Sequence, residues 1–250
     1  MQVYWTLIRR ELSSHFCSWT GYVVIACAAF LFGASFNNLI VALKAQATDR
    51  PVTELFYGTI YFWMIVLLAP PVITMRSFAM EKSSGTFETL MTAPVSDAQV
   101  VLAKFTGALI FYILLWLPSL GSLAVVRYYS RDTTLLDPAT IGTTFLGVVL
   151  LGFLYMSMGC FASAMTRNQI IAAMVSIAGG AALFLMSFIA MVFSTQTGWE
   201  AQLLSHVGLI EHMKDFARGV IDTRPLVFYL SLTALFLFLT FKVIESRRWK

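Results

Sequence analysis

The chain has 250 residues, 58% of them hydrophobic and only 12% charged, with a net charge of +4. An average soluble domain carries about 25% charge, so one water-exposed surface around one soluble core is excluded and lipid must be the solvent for most of the molecule. The basic balance calls for no nucleic-acid partner, because it follows from where Lys and Arg lie relative to the membrane.

At the N-terminus, Trp5, Ile8, Leu12, Phe16 and Trp19 fall on one helical stripe, with Arg9, Arg10, Ser13 and Ser14 facing away. That pattern predicts an amphipathic helix lying in the membrane interface. Continuous apolar runs of about 20 residues then predict membrane-spanning helices, six in all, over 21–43, 56–75, 100–126, 141–165, 170–193 and 226–244. The runs do not alternate, so the expected fold class is an all-α polytopic membrane protein and not a barrel. Spans and connections use the whole chain, giving a single transmembrane domain over 1–250.

No Asp, Glu, Lys, Arg or His occurs within 21–43, 56–75, 105–126, 141–165, 170–193 or 226–241. Ion-coupled carriers and proton pumps keep such groups at mid-membrane, so that class is disfavoured. Asn37 and Asn38 are the most polar intramembrane residues and are expected to act as helix-packing hydrogen-bond groups. Gly159 and Ser163 form a small-xxx-small pair that implies close helix contact.

His15, His206 and His212 all lie outside the spans, so no intramembrane serine has a histidine base. There is no HExxH or GxxxxGK[ST] motif, and Cys17, Cys27 and Cys160 stand at unrelated spacings. The chain is therefore expected to be no enzyme by itself, with no catalytic residue, metal site or bound cofactor of its own.

Between the second and third runs lies "RSFAMEKSSGTFETLMTAPVSDAQVVLAKF", residues 76–105. Gly85 as N-cap and Glu88 three residues on suggest a short helix over 86–92, with Phe87, Leu90 and Met91 forming its apolar face. Pro94 ends it. Ser96 and Gln99 then form a second capping box that starts the third span. A short helix fixed at both junctions makes a rigid knob for a partner.

Further on, Leu203, Val207, Ile210, Met213, Ala217 and Val220 keep helical spacing. Glu211, Lys214, Asp215 and Arg218 form a charge cluster on the same helix, and Gly219 would break it.

The residues of 76–104 resemble the signature of membrane subunits of type-2 ATP-binding-cassette exporters: an Arg, then E-[KR]-x-x-G-T-x-E-x-L-x-x-x-P-[VI]-S, then a Lys entering the third span. The match falls on Arg76, Glu81, Lys82, Gly85, Thr86, Glu88, Leu90, Pro94, Val95, Ser96 and Lys104. The C-terminal "DFARGVID" and "FYLSLTALFLFLTFKVIESRRW" are similar in particular to the gliding-motility and copper-enzyme-maturation permeases.

The resemblance implies that the knob is a coupling helix docking on a separate ATPase subunit, which would bind ATP and Mg. Glu81, Gly85, Thr86, Phe87, Glu88, Leu90 and Pro94 would then carry contact or coupling. It also implies a second permease subunit, in a homo- or heterodimer. Short outer helices would close the dimer on the outside, with Leu203, Val207, Ile210 and Met213 as packing residues. Membrane lipid and an extracytoplasmic accessory protein complete the expected surroundings. The alternative reading is a non-transporting membrane anchor that passes ATPase-driven force to an extracytoplasmic partner.

With the N-terminus inside, ten Lys and Arg fall on the inner segments and seven on the outer ones. The positive-inside rule therefore places both termini in the cytoplasm of a cell with this protein in its inner membrane. In a cysteine-free background, single cysteines at positions 90 and 248 should resist an impermeant thiol reagent in intact cells, while one at position 200 reacts. Labelling at 90 but not at 200 would reverse the orientation.

Overall fold

Within hydrocarbon every backbone N–H and C=O must be satisfied inside the chain, which turns long apolar runs into long helices. The computed structural model describes residues 2–45, 51–87, 95–130, 137–193 and 206–248, so Glu88, Leu90, Pro94 and Leu203 lie outside the described residues. Among the described residues all regular structure is helical: α1 Gln2–Phe16, α2 Trp19–Ala45, α3 Val52–Tyr57, α4 Ile60–Thr74, α5 Ala79–Ser84, α6 Asp97–Ser130, α7 Pro138–Met165, α8 Gln169–Phe193, α9 Leu209–Ala217 and α10 Thr223–Arg248.

Among the described residues six stretches are long and apolar enough to cross a membrane: α2, α4 together with α5, α6, α7, α8 and α10. The chain is a multi-pass, all-α membrane protein. The second span starts later than the apolar run predicts. Phe56 and Tyr57 belong to the short buried α3, and Thr59, extended and accepting from the Phe62 N–H at 3.4 Å, starts a new helix. The capping box before α6 forms as read: the Ser96 N–H donates to Gln99 Oε1 at 3.2 Å, and the Gln99 N–H to Ser96 Oγ at 3.3 Å.

The fourth and second spans are largely buried, whereas the first, fifth and sixth are mostly exposed. α7 is the hub, packing against α10, α8, α4, α9 and α6. Small residues let it do so. A Cβ at Gly159 would stand 2.1 Å from Thr74 Oγ1 of α4, and one at Gly147 would stand 2.9 Å from the Phe216 ring. Asn37 and Asn38 do not serve as packing groups within this chain, because both are exposed. Ser35 bonds instead, to the Phe56 carbonyl at 3.2 Å and to Thr59 Oγ1 at 3.1 Å.

At the opposite end of the bundle from α5, α9 lies over α3 and the start of α7. Its inward face is Leu209, His212, Met213, Phe216 and Ala217. Met213 is buried, and Ile210 is half-buried with its N–H donating to Ser187 Oγ of α8 at 2.9 Å. Val207 precedes the helix, and Val220 lies beyond it and is exposed. The helix begins only after Gly208, so its inward face is set locally and not by the longer stripe.

Gly219, at φ 84, ends α9 in a Schellman motif, with the Val220 N–H on the Asp215 carbonyl at 2.9 Å and the Gly219 N–H on the Phe216 carbonyl at 3.1 Å. Side chains from neighbouring elements also reach its last carbonyls: Thr53 donates to Ala217 O at 2.5 Å and Thr143 to Phe216 O at 2.9 Å. Arg218 forks onto the buried Glu54 carboxylate at 2.9 and 3.1 Å, so it reaches across to α3.

His212 lies with its ring 5.9 Å from Phe228 and 5.8 Å from Tyr229 of α10, and its Nδ1 has no hydrogen-bond partner. Burial pulls its pKa down to about 4; nearby Asp222 opposes this and His206 adds to it. The unfolded imidazole titrates near about 6.5. The contribution of the neutral ring is therefore complete above that pH and is lost as pH falls toward the folded value. The thermal midpoint in detergent should fall between pH 7 and pH 5, and His212→Phe should flatten that fall. An unchanged pH dependence in His212→Phe would contradict this assignment.

Candidate coupling site

The helix after α4 is held by three fixings, two on α7 and one shared by α6 and α1. α4 stops at Thr74, and the chain turns through Met75 to Phe78 before α5 starts. The turn sits on Ser163 of α7. Its Oγ donates to the Met75 carbonyl at 3.1 Å and accepts from the N–H groups of Phe78 and Ala79 at 3.0 and 3.1 Å. One hydroxyl thereby uses its donor and both lone pairs to satisfy backbone groups between the two helices.

The second fixing is Lys82. Its ammonium, on a side chain almost fully buried, donates to the Ala164 carbonyl in the last turn of α7. A cation suits the negative end of a helix dipole. The same ammonium lies 5.2 Å over the Phe87 ring.

The third is a four-charge cluster. Lys104, only 3% exposed at the head of α6, donates to Glu81 Oε1 at 2.8 Å and to Glu11 Oε1 at 2.9 Å. Arg10 Nη2 approaches the same two carboxylates at 3.3 Å each. Two cations and two anions so tie α1, α5 and α6 together. Burial alone would raise the Glu11 pKa, but the charge and hydrogen bond of Lys104, with those of Arg10, outweigh it and hold the carboxyl below its ordinary value. α1 can come close enough because α6 carries Gly107, where a Cβ would stand 2.9 Å from Glu11 Cβ. Tyr4 OH also meets Thr106 Oγ1 at 2.8 Å.

Of the residues singled out in the sequence, Glu81, Gly85, Thr86 and Phe87 are described here, while Glu88, Leu90 and Pro94 are not. Glu81 belongs to the charge cluster. Gly85, at φ 75, ends α5 in the left-handed conformation and stands directly before the helical Thr86 and Phe87, the position read as an N-cap. Thr86 is exposed, and its hydroxyl meets Ser84 Oγ at 2.9 Å. Phe87 turns inward into the chain's own core. In the outer set, Ile210 and Met213 reach the core, Val207 precedes the helix and Leu203 is not described.

Sequence reasoning missed Glu11, Arg10 and the bonding role of Ser163. One signal was present. A lysine at the head of a long apolar run, as Lys104 is, requires a buried counter-charge.

Among the described residues no group of His, Cys, Asp and Glu could hold a metal ion. The arrangement ties α5 to α7, α6 and α1. The model of one known family, described as ABC-2 family transporter protein, matches residues 33–246. No curated protein matches the chain.

Lys104→Met would leave Glu11 and Glu81 buried against each other. Removing one partner of a buried ion pair costs about 3–5 kcal/mol, so the variant should show a clearly lowered thermal midpoint. Adding Glu81→Gln should restore part of the loss, because the two changes share one interaction. Additive losses would show that the pair does not couple α5 to α6.

Proposed function

The chain belongs to the ABC-2 family of transporter proteins and is the membrane component of an ABC transporter, and from this premise we propose that it drives export as one permease subunit of a dimer. The family implies an ATPase partner subunit, which would bind ATP and Mg. Both termini face the cytoplasm in this reading, so α5 and the segment after it stand on the cytoplasmic side of the inner membrane.

The observation that carries the reading is the fixing of α5. A segment that only linked two spans would need no shared serine, no lysine on a helix end and no buried charge cluster. One that receives force from a soluble motor needs all of its fixings on the spans to be stiff. Ser163 and Lys82 pass a push into the hub helix α7, while Glu81 passes it through Lys104 into α6 and through Glu11 into α1. Gly85 and Phe87 are the last fixed points before the segment that follows. Glu88, Leu90 and Pro94 then stand at the contact with the ATPase, and the whole chain 1–250 acts as one transmembrane domain.

Leu90→Asp should remove apolar area from that contact and place an unpaired charge in it. Truncating a hot-spot anchor costs about 2–4 kcal/mol of association. The variant should insert and fold as wild type but no longer co-purify with its ATPase or stimulate ATP turnover. Thr92→Ala should behave as wild type. Full association in Leu90→Asp would remove this helix as the coupling element.

A further inference from the structure

Between α1, the start of α2, the end of α4 and the head of α6 lies a cavity of about 620 Å³. It is amphipathic. Val24, Val72, Ile73 and Phe111 line it along helices that continue into the hydrocarbon, while Arg76, Ser18, Thr20, Ser77 and Glu81 line it at the polar end.

Three features of the polar end are unusual for a merely structural gap. The first is Arg76. Its Nη1 donates to Ser18 Oγ at 2.6 Å and to Thr20 Oγ1 at 2.7 Å, and among the described residues no carboxylate pairs with it. A guanidinium has five donors in a planar fork that matches phosphate oxygens. The 27-residue α2 also begins here, its first N–H groups adding the positive end of a helix dipole.

The second is Ser77, whose residue is only 4% exposed and whose Oγ has no hydrogen-bond partner. Buried hydroxyls are normally satisfied. The third is Glu81. Its Oε1 takes the bonds from Lys104 and Arg10, leaving Oε2 buried and without a partner. An anion acceptor and an orphan carboxylate oxygen therefore share one cavity, whose volume corresponds to a sphere about 10 Å across, larger than a zwitterionic headgroup.

We propose that this cavity binds the headgroup of an aminophospholipid, with the phosphodiester on Arg76 and the Ser18, Thr20 and Ser77 hydroxyls, the ammonium on Glu81 Oε2, and the acyl chains along Val24, Val72 and Ile73. A primary ammonium can donate to the orphan oxygen, whereas a trimethylammonium cannot. The site thus distinguishes two headgroups of equal net charge. Because Glu81 belongs also to the charge cluster, lipid occupancy bears on α5, which precedes the segment proposed to meet the ATPase. The inference rests only on the chain's being a membrane protein and stands whichever way it is oriented.

The test uses the full chain in detergent, equilibrated with mixed micelles of phosphatidylethanolamine or phosphatidylcholine, with retained lipid read by native mass spectrometry. Wild type should retain the ethanolamine lipid roughly tenfold more, the value of one charge-assisted hydrogen bond. Arg76→Gln should lower retention of both lipids, and Glu81→Gln should abolish the preference while keeping binding. Thr20→Val, outside the charge cluster, should weaken retention of both even if the charged variants fail to fold. Equal retention of the two lipids by wild type would overturn the ammonium assignment, and undiminished retention in Thr20→Val and Arg76→Gln would overturn the phosphate assignment. Full displacement by millimolar soluble phosphoethanolamine would reassign the cavity to a free phosphate ester and end the lipid proposal.

Discussion

The ammonium of Lys104 is buried at the head of a long apolar helix, and an isolated charge there would be prohibitively costly. It is tolerated because two carboxylates from distant parts of the chain, Glu11 and Glu81, converge on it within 2.9 Å. This requirement positions the rest of that end of the molecule. α1 must lie across α6 to deliver Glu11, which explains the glycine at 107 where the two helices touch. α5 must turn back toward α6 to deliver Glu81, which places the turn from Met75 to Phe78 on Ser163.

The two ends of the bundle follow one design with different parts. At one end Ser163 and Lys82 saturate exposed backbone groups of α4, α5 and α7. At the other, Thr53, Thr143 and Thr144 saturate the last carbonyls of α9, and Arg218 meets Glu54. In both places a short helix is fastened by side chains of α7 or its neighbours, and α7 connects them. A displacement of α5 therefore has a continuous packed path through α7 to α9 at the opposite end of the bundle, which is the physical content of the coupling role proposed above.

Much of this was legible in the sequence. Six apolar runs became six candidate spans because helix length and hydrophobic thickness leave little choice. The Ser96–Gln99 box and the break at Gly219 appeared as read, since both are local chemistry. What escaped is non-local. Glu11 sits 93 positions from Lys104, and its helix shows a clean apolar stripe that hides one inward carboxylate. Ser163 reads as an ordinary small residue until the turn it serves is placed beside it. Asn37 and Asn38 looked like packing groups but face outward, because helical phase, set by neighbours and not by polarity, gave the inner position to Ser35. Phe87 likewise turned inward, drawn by Lys82 and the core.

The central claim is that α5 moves with the spans as one body. Spin labels at the exposed Ser84 and Met165 report the separation of α5 from the end of α7, and pulsed dipolar spectroscopy on the assembled transporter can compare nucleotide-free and vanadate-trapped states. The account predicts that this intrachain distance stays the same in both states, while the distance from Ser84 to its counterpart on a second permease subunit changes. A shift of α5 relative to α7 on nucleotide trapping, with the subunit separation unchanged, would contradict it.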